Sequence, residues 1–162
     1  MLRCGDAKYF WLSILATQHL SILLSTSMRI LGIDYGTKRI GLAVGETDSG
    51  MAFPLRSVPN DAAALDVIIR IAGEESVGRL VIGMPYRMTG AGAPGETESA
   101  VIAFIGGLKK KTELPIDTED ERLTTAMVEK MRKDAGVKPK DFDKDAAAAT
   151  VILESYLARK RA

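Results

Sequence analysis

Two short apolar runs dominate the first half of the chain. Residues 29–34 (RILGID) and 39–45 (RIGLAVG) are separated only by the turn-forming Tyr35-Gly36-Thr37-Lys38. Runs of this length flanking a turn signal read as a β-hairpin, and that hairpin limits what the rest can build. Residues 51–57 supply a third strand, confined to a sheet edge by Pro54. Pro59-Asn60 breaks the chain, and Asn60 suits a helix N-cap. Leu65, Ile68, Ile69 and Ala72 then recur at helical spacing over residues 61–75. Residues 79–84 (RLVIGM) form a buried strand, and the Gly- and Pro-rich 85–95 a loop. Val101, Ile102 and Ile105 mark a second helix over 99–108, opening near Glu96. Residues 115–119 are a short strand, 123–135 a helix striped by Leu123, Met127 and Met131 and ended by Gly136, and 144–159 an alanine-rich last helix. A hairpin followed by strand–helix units predicts an α/β domain: a five-stranded mixed sheet flanked by helices. A chain of 162 residues is long enough to bury one such core.

The chemistry open to this domain is narrowed by what the chain lacks. Its one cysteine (Cys4), one histidine (His19) and one tryptophan (Trp11) all fall in the first 27 residues. The remainder has no imidazole and no thiol, which excludes a Ser-His or Cys-His nucleophile, a disulfide and an ordinary zinc site. Carboxylates are left as the principal reactive groups, and with water they suit hard cations such as Mg²⁺ or Mn²⁺. Three acidic positions stand at the ends of elements. Asp34 ends the first strand, Asp120 and Glu121 follow the last strand, and Asp145 opens the last helix. Ala149, Ile152 and Tyr156 continue the helical face of Asp145, so that face points to the sheet. If the first and last strands run parallel, the acids collect beyond their carboxyl ends, where such sheets bind ligands. Crowded acids repel, and a cation relieves them.

Residues 1–27 stand apart from this pattern. The apolar stretches 9–16 and 20–24 are too short and too interrupted to span a bilayer, and Asp6 spoils a basic signal-peptide head. The segment reads as an extension, disordered or translated from a start upstream of Met28, and the expected domain is 28–162 in a cytoplasmic protein. The first 27 residues carry two of the 22 basic and one of the 21 acidic residues, leaving 20 of each beyond them. A neutral domain has no obvious basic footprint for nucleic acid. The basic residues cluster nonetheless, at 38–39, 109–111, 132–133, 138 and 140, and 159–161.

Four segments, MRILGIDYGTKRIGLAVG, VIGMPYRMTG, DERLTT and DKDAAAATVILESYL, occur in that order. Together they closely resemble the YqgF/RuvX family of bacterial RNase H-like proteins, over residues 28–158. Four ordered motifs are far more specific than one. The resemblance implies a five-stranded RNase H-like sheet. It implies a nuclease that either resolves Holliday junctions or matures the 5′ end of pre-16S ribosomal RNA, with structured RNA or branched DNA as partner and a homodimer as a possible assembly. Carried over by motif, Asp34, Glu121 (Asp120 as its alternative) and Asp145 would be the catalytic metal ligands for Mg²⁺ or Mn²⁺. Lys38, Arg39, Arg87 and Arg122 would contact phosphate. The chain departs from the family pattern in its extension and in the loop PYRMTGAGAPG, where Arg87 replaces a usual neutral polar residue.

Two other readings compete. GIDYGTKRIG also resembles the first phosphate loop of the actin, hexokinase and heat-shock chaperone superfamily, in which Gly36 and Thr37 would cradle ATP phosphates. Those proteins enclose the nucleotide between two such domains, and residues 28–162 make one. A catalytically inactive nucleic-acid-binding module would keep the fold without the activity, but all three acids are present.

Overall fold

The computed structural model describes residues 27–85, 95–120, 124–134, 136, 138 and 142–161. The extension up to residue 26 and the loop around Arg87 therefore lie outside the described residues. Five strands, β1 (Arg29–Tyr35), β2 (Arg39–Glu46), β3 (Ala52–Pro59), β4 (Arg79–Met84) and β5 (Ile116–Asp120), form one sheet in the order β3-β2-β1-β4-β5. The hairpin β1–β2 and its neighbour β3 are antiparallel, while β4 and β5 run parallel to β1. The predicted edge position of β3 and the parallel course of the first and last strands are both observed.

The described residues form four helices, α1 (Ala64–Glu74), α2 (Glu96–Lys109), α3 (Thr124–Asp134) and α4 (Lys144–Arg161), of which α1, α2 and α4 cover the sheet. Helices α1 and α2 pack on one face, where Ile68, Ile71, Val101, Phe104 and Leu108 meet Leu31, Ile33, Ile40, Leu42, Leu80 and Ile82. Helix α4 covers the other face, with Ala149, Ile152, Leu153, Tyr156 and Leu157 against Ile30, Ala43 and Val81. Strands covered on both faces need apolar residues at consecutive positions, which is why β1, β2 and β4 read as uninterrupted runs. Helix α3 adds a third layer through Val128, packed on Ala147 and Val151 of α4. Among the described residues, no helix is long and apolar enough to cross a membrane.

Helix α4 lies unusually close to the hairpin. A Cβ at Gly32 would come within 2.8 Å of the Leu153 Cβ, and one at Gly45 within 3.0 Å of the Leu157 Cδ1. The glycines of β1 and β2 thus serve close packing, as a glycine inside a strand often does.

Some boundaries differ from those read off the sequence. Helix α1 begins at Ala64, with Ala63 in the cap position and no side-chain cap. Asn60 is not its cap. Its Nδ2 instead donates to the Gly36 carbonyl at 2.9 Å and braces the β1–β2 turn. Gly136 does end α3, with φ of 63° and its N–H on the Lys133 carbonyl at 3.0 Å. Tyr156 is buried as expected, and its hydroxyl donates to Asp117 of β5, which also accepts Arg79 Nη1 at 2.8 Å. The Tyr156 hydrogen bond, against the opposing effect of burial and with help from Arg79, holds the Asp117 carboxyl below its ordinary range. Burial and the Asp117 charge together push the Tyr156 phenol up to about 12.

Candidate active site

Asp34 sits near the carboxyl end of β1, opposite Gly41 of β2. Side chains alternate along a strand, so Asp34 shares the α4 face with Ile30 and Gly32, while Tyr35 turns to the other face, its ring centroid 5.0 Å from that of Phe104 and tilted 47° to it. The first turn of α4 docks directly over Gly41. A Cβ there would lie 1.9 Å from the Asp145 carbonyl oxygen. Only glycine allows this approach, and it brings the Asp145 carboxylate towards Asp34 across the β1–β2 pair.

The electrostatic consequence is visible at Asp34. Burial, and after it the charge of Asp145, pushes its carboxyl up to about 6. Two acids in this relation repel each other. Arg39 answers one of them, its Nε standing 3.3 Å from Asp145 Oδ2. The same guanidinium donates to Ser57 Oγ, with Nε at 3.0 Å.

The third acid is less complete. Asp120 ends β5 in register with Met84, and the two-residue period puts it with Thr118 on the α1–α2 side of the sheet. Asp117 and Glu119 share the face of Asp34. Glu119 is buried, accepting Ser155 Oγ at 3.0 Å and Arg159 Nη2 at 2.6 Å. Glu121, Arg122 and Arg87 lie outside the described residues. Among the described residues, no group of three or more His, Cys, Asp or Glu side chains is arranged to hold a metal ion. The pair Asp34–Asp145 fits such an ion in chemistry: hard carboxylate oxygens, one of them buried and raised by its neighbour's negative charge.

Lys38 and Arg39 are exposed at the same end of the sheet. The clusters at 109–111 and 159–161 do not gather there. Lys109, Lys110 and Lys111 follow the C-terminal end of α2, which leads into β5, and Arg159, Lys160 and Arg161 end α4. Lys160 and Arg161 line a cavity of about 260 Å³ with Met28, Arg79 and Tyr156, at the start of β1 and β4 and away from Asp34. Those cations are engaged locally: Arg161 Nη1 donates to the Ser49 carbonyl at 3.0 Å, and Lys160 stands 5.5 Å over the Tyr156 ring.

Two residues that sequence reasoning passed over complete the site. Asp143 caps α4: its Oδ1 accepts the Ala146 N–H at 3.1 Å and its Oδ2 the Ser57 N–H at 2.8 Å. Burial raises the Asp143 carboxyl, but these hydrogen bonds and the Arg39 charge outweigh it and leave the group below its ordinary range. An Asp just ahead of an apolar helical run is a readable N-cap signal. The partnership with Ser57 leaves no local trace in the sequence.

Comparison with known proteins agrees with this architecture. The family model described as RuvX, Holliday junction resolvase, matches residues 28–159. A protein of Desulforamulus reducens named "Putative pre-16S rRNA nuclease" is 42% identical over 137 residues, covering 80% of this chain and 96% of its own. Proteins of the same name from Bacteroides fragilis (strain YCH46) and Chloroflexus aggregans are 38% and 35% identical, each over 82% of this chain and over 98% and 94% of their own lengths. Among solved structures, T. thermophilus RuvC in complex with a Holliday junction substrate superposes with a TM-score of 0.56 at 12% identity, over 83% of this chain and 96% of that one. The Fowlpox virus resolvase in complex with Holliday junction DNA gives 0.53 at 15%, over 82% and 99%. At that identity the likeness speaks to the fold, which is RNase H-like, while the sequence relatives and the matched family model speak to descent: the chain belongs to the RuvX (YqgF) family.

Proposed function

We propose that this protein is a metal-dependent nuclease that hydrolyses phosphodiester bonds in structured RNA or branched DNA, with Asp34, Glu121 and Asp145 as the ligands of two Mg²⁺ or Mn²⁺ ions. The observation that carries the reading is the half-buried Asp34 carboxyl, pushed up to about 6 by burial and then by Asp145, at the carboxyl end of β1, which runs parallel to β4. Two converging acids repel rather than stabilise the fold, and a bound cation relieves that repulsion. Cations of this kind supply an acidified water and stabilise the charge of a leaving 3′ oxygen.

The chain's own residues do the rest. Asp34 is held rigidly by the β1–β2 ladder, and Asp145 by the seating of α4 on Gly41. Arg39, exposed beside Asp145, can exchange that partner for a phosphate oxygen, and Lys38 next to it adds a second positive charge. Arg87 and Arg122 complete the proposed set of phosphate contacts. The names borne by relatives support the pre-16S rRNA leader as substrate, and the description of the family model supports the four-way DNA junction.

The test is cleavage by the full chain of a labelled pre-16S 5′ leader and a four-way junction, in Mg²⁺, in Mn²⁺ and in EDTA. Metal-dependent cutting that is lost in both Asp34→Asn and Asp145→Asn is expected. Cutting that persists at the wild-type rate in either variant would refute the site. A folded protein that binds but cuts neither substrate would favour a binding module that keeps the fold.

A further inference from the structure

We propose that Asp143 is a positioning residue, which fixes the first turn of α4 against the edge strand β3 and thereby sets the Asp145 carboxylate opposite Asp34. The inference rests on the reading of Asp34 and Asp145 as metal ligands.

A helix N-terminus needs only one side-chain oxygen from its cap. Asp143 gives Oδ1 to that task, on the Ala146 N–H, and its own carbonyl accepts the Ala147 N–H at 3.0 Å. The second oxygen, Oδ2, leaves the helix and accepts the backbone N–H of Ser57 at 2.8 Å, 86 residues away in the chain. Ser57 stands opposite Gly41 in the β2–β3 ladder, the glycine on which the α4 turn is seated. Its hydroxyl takes Arg39, whose Nε reaches Asp145. The turn that carries Asp145 is thus held from beneath by β2 and from the side by β3.

The tether has work to do because of charge. The first turn of a helix is its least secured part, with N–H groups that have no partner inside the helix. Asp34 and Asp145 repel each other, and that repulsion acts to lift the turn from the sheet. Asp143 opposes it with a hydrogen bond to an element that cannot follow. Ala146 and Ser57 occupy the two different carboxylate oxygens, and an Asn would put a non-accepting NH₂ at one of those two places, so it can cap Ala146 or hold Ser57 but not both in this geometry.

This difference separates positioning from simple helix stabilisation. Mn²⁺ alone is titrated calorimetrically into the full-length wild type, Asp34→Asn, Asp143→Asn and Asp143→Ser, and thermal unfolding of each is followed in EDTA. Asn and Ser cap helices about as well as Asp, so both Asp143 variants keep the cap, lose the bond to Ser57, and are expected to unfold a few degrees below the wild type while remaining folded at the temperature of the titration. Their Mn²⁺ affinity is expected to fall about tenfold, the usual scale for loss of a group that orients a ligand. Asp143→Asn that binds Mn²⁺ as tightly as wild type, at a temperature where both are fully folded, would overturn the proposal, and so would an affinity loss that appears only where the variant has begun to unfold. A wild type that binds no Mn²⁺ would instead refute the metal site on which the proposal stands.

Discussion

Replacing Asp34 by Asn should make the metal-free protein more stable, and the gain should depend on pH in a defined way. The Asp34 carboxyl titrates at about 6 in the folded protein against 3.8 for an unperturbed aspartate, chiefly through burial and then through the Asp145 charge. An acid whose folded pKa is raised binds its proton more tightly in the native state. Its favourable contribution is therefore complete below pH 3.8 and is lost as pH rises through 6. A gap of roughly two units corresponds to about 3 kcal/mol of destabilisation once the group is ionised in both states. Asn is uncharged at every pH and nearly the same shape, so it escapes that penalty. Urea unfolding in EDTA, from pH 4 to pH 8, should show Asp34→Asn overtaking the wild type by about 3 kcal/mol at the alkaline end, with the difference shrinking towards pH 4. Titrating Mg²⁺ should reverse the order, because an ion that binds only the native wild type stabilises it by mass action. A difference that is flat across the pH range, or a wild type that is the more stable at pH 8 without metal, would refute the account of Asp34 as a strained acid.

Gly41→Ala should be severely destabilising, by at least the 1–3 kcal/mol or so typical of overpacking, because its Cβ would meet the Asp145 carbonyl oxygen at 1.9 Å and no rotamer can relieve a backbone contact. If the variant folds, carboxyl NMR should show Asp34 titrating closer to 3.8, since the lifted helix no longer buries it; an unchanged Asp34 titration would contradict the seating of α4. Tyr156→Phe removes the hydrogen bond to Asp117 and should cost roughly 1–2 kcal/mol at neutral pH. The Asp117 carboxyl is held low in the folded state, so the stability it provides is present above 3.8 and is lost as pH falls through its lower folded value. The gap between wild type and Tyr156→Phe, read from urea midpoints, should accordingly narrow in acid.

What the sequence disclosed follows from where information about contacts resides. Strands β1, β2 and β4 were legible because burial on both faces demands an unbroken apolar run, and 79–84 matches β4 to the residue. Helix starts were less so. Asn60 looks like a cap, yet its amide serves the β1–β2 turn across 24 residues of chain. Asp34 was legible as an acid closing an apolar strand, and Asp145 through the period of Ala149, Ile152 and Tyr156, all buried in α4. The Asp143–Ser57 bond was not, because it uses a backbone N–H that any residue but proline would offer. Nor does a glycine in a strand announce which element will lie over it.

Gly41 shows why the fold and the site cannot be tuned apart. The missing side chain lets α4 settle on β2, and that settling both closes the core against Ala149 and Leu153 and strips water from Asp34. The same approach that stabilises the sheet through apolar burial raises the cost of an ionised carboxylate at its edge. A larger residue at position 41 would relax the acid and unseat the helix together. Asp34→Asn would relieve the acid and leave the helix seated, at the loss of the charge a cation needs. If Asp34 and Asp145 hold the proposed cation, stability in the metal-free state and affinity for metal are opposed through one contact, as expected where an active site is built at the expense of the fold around it.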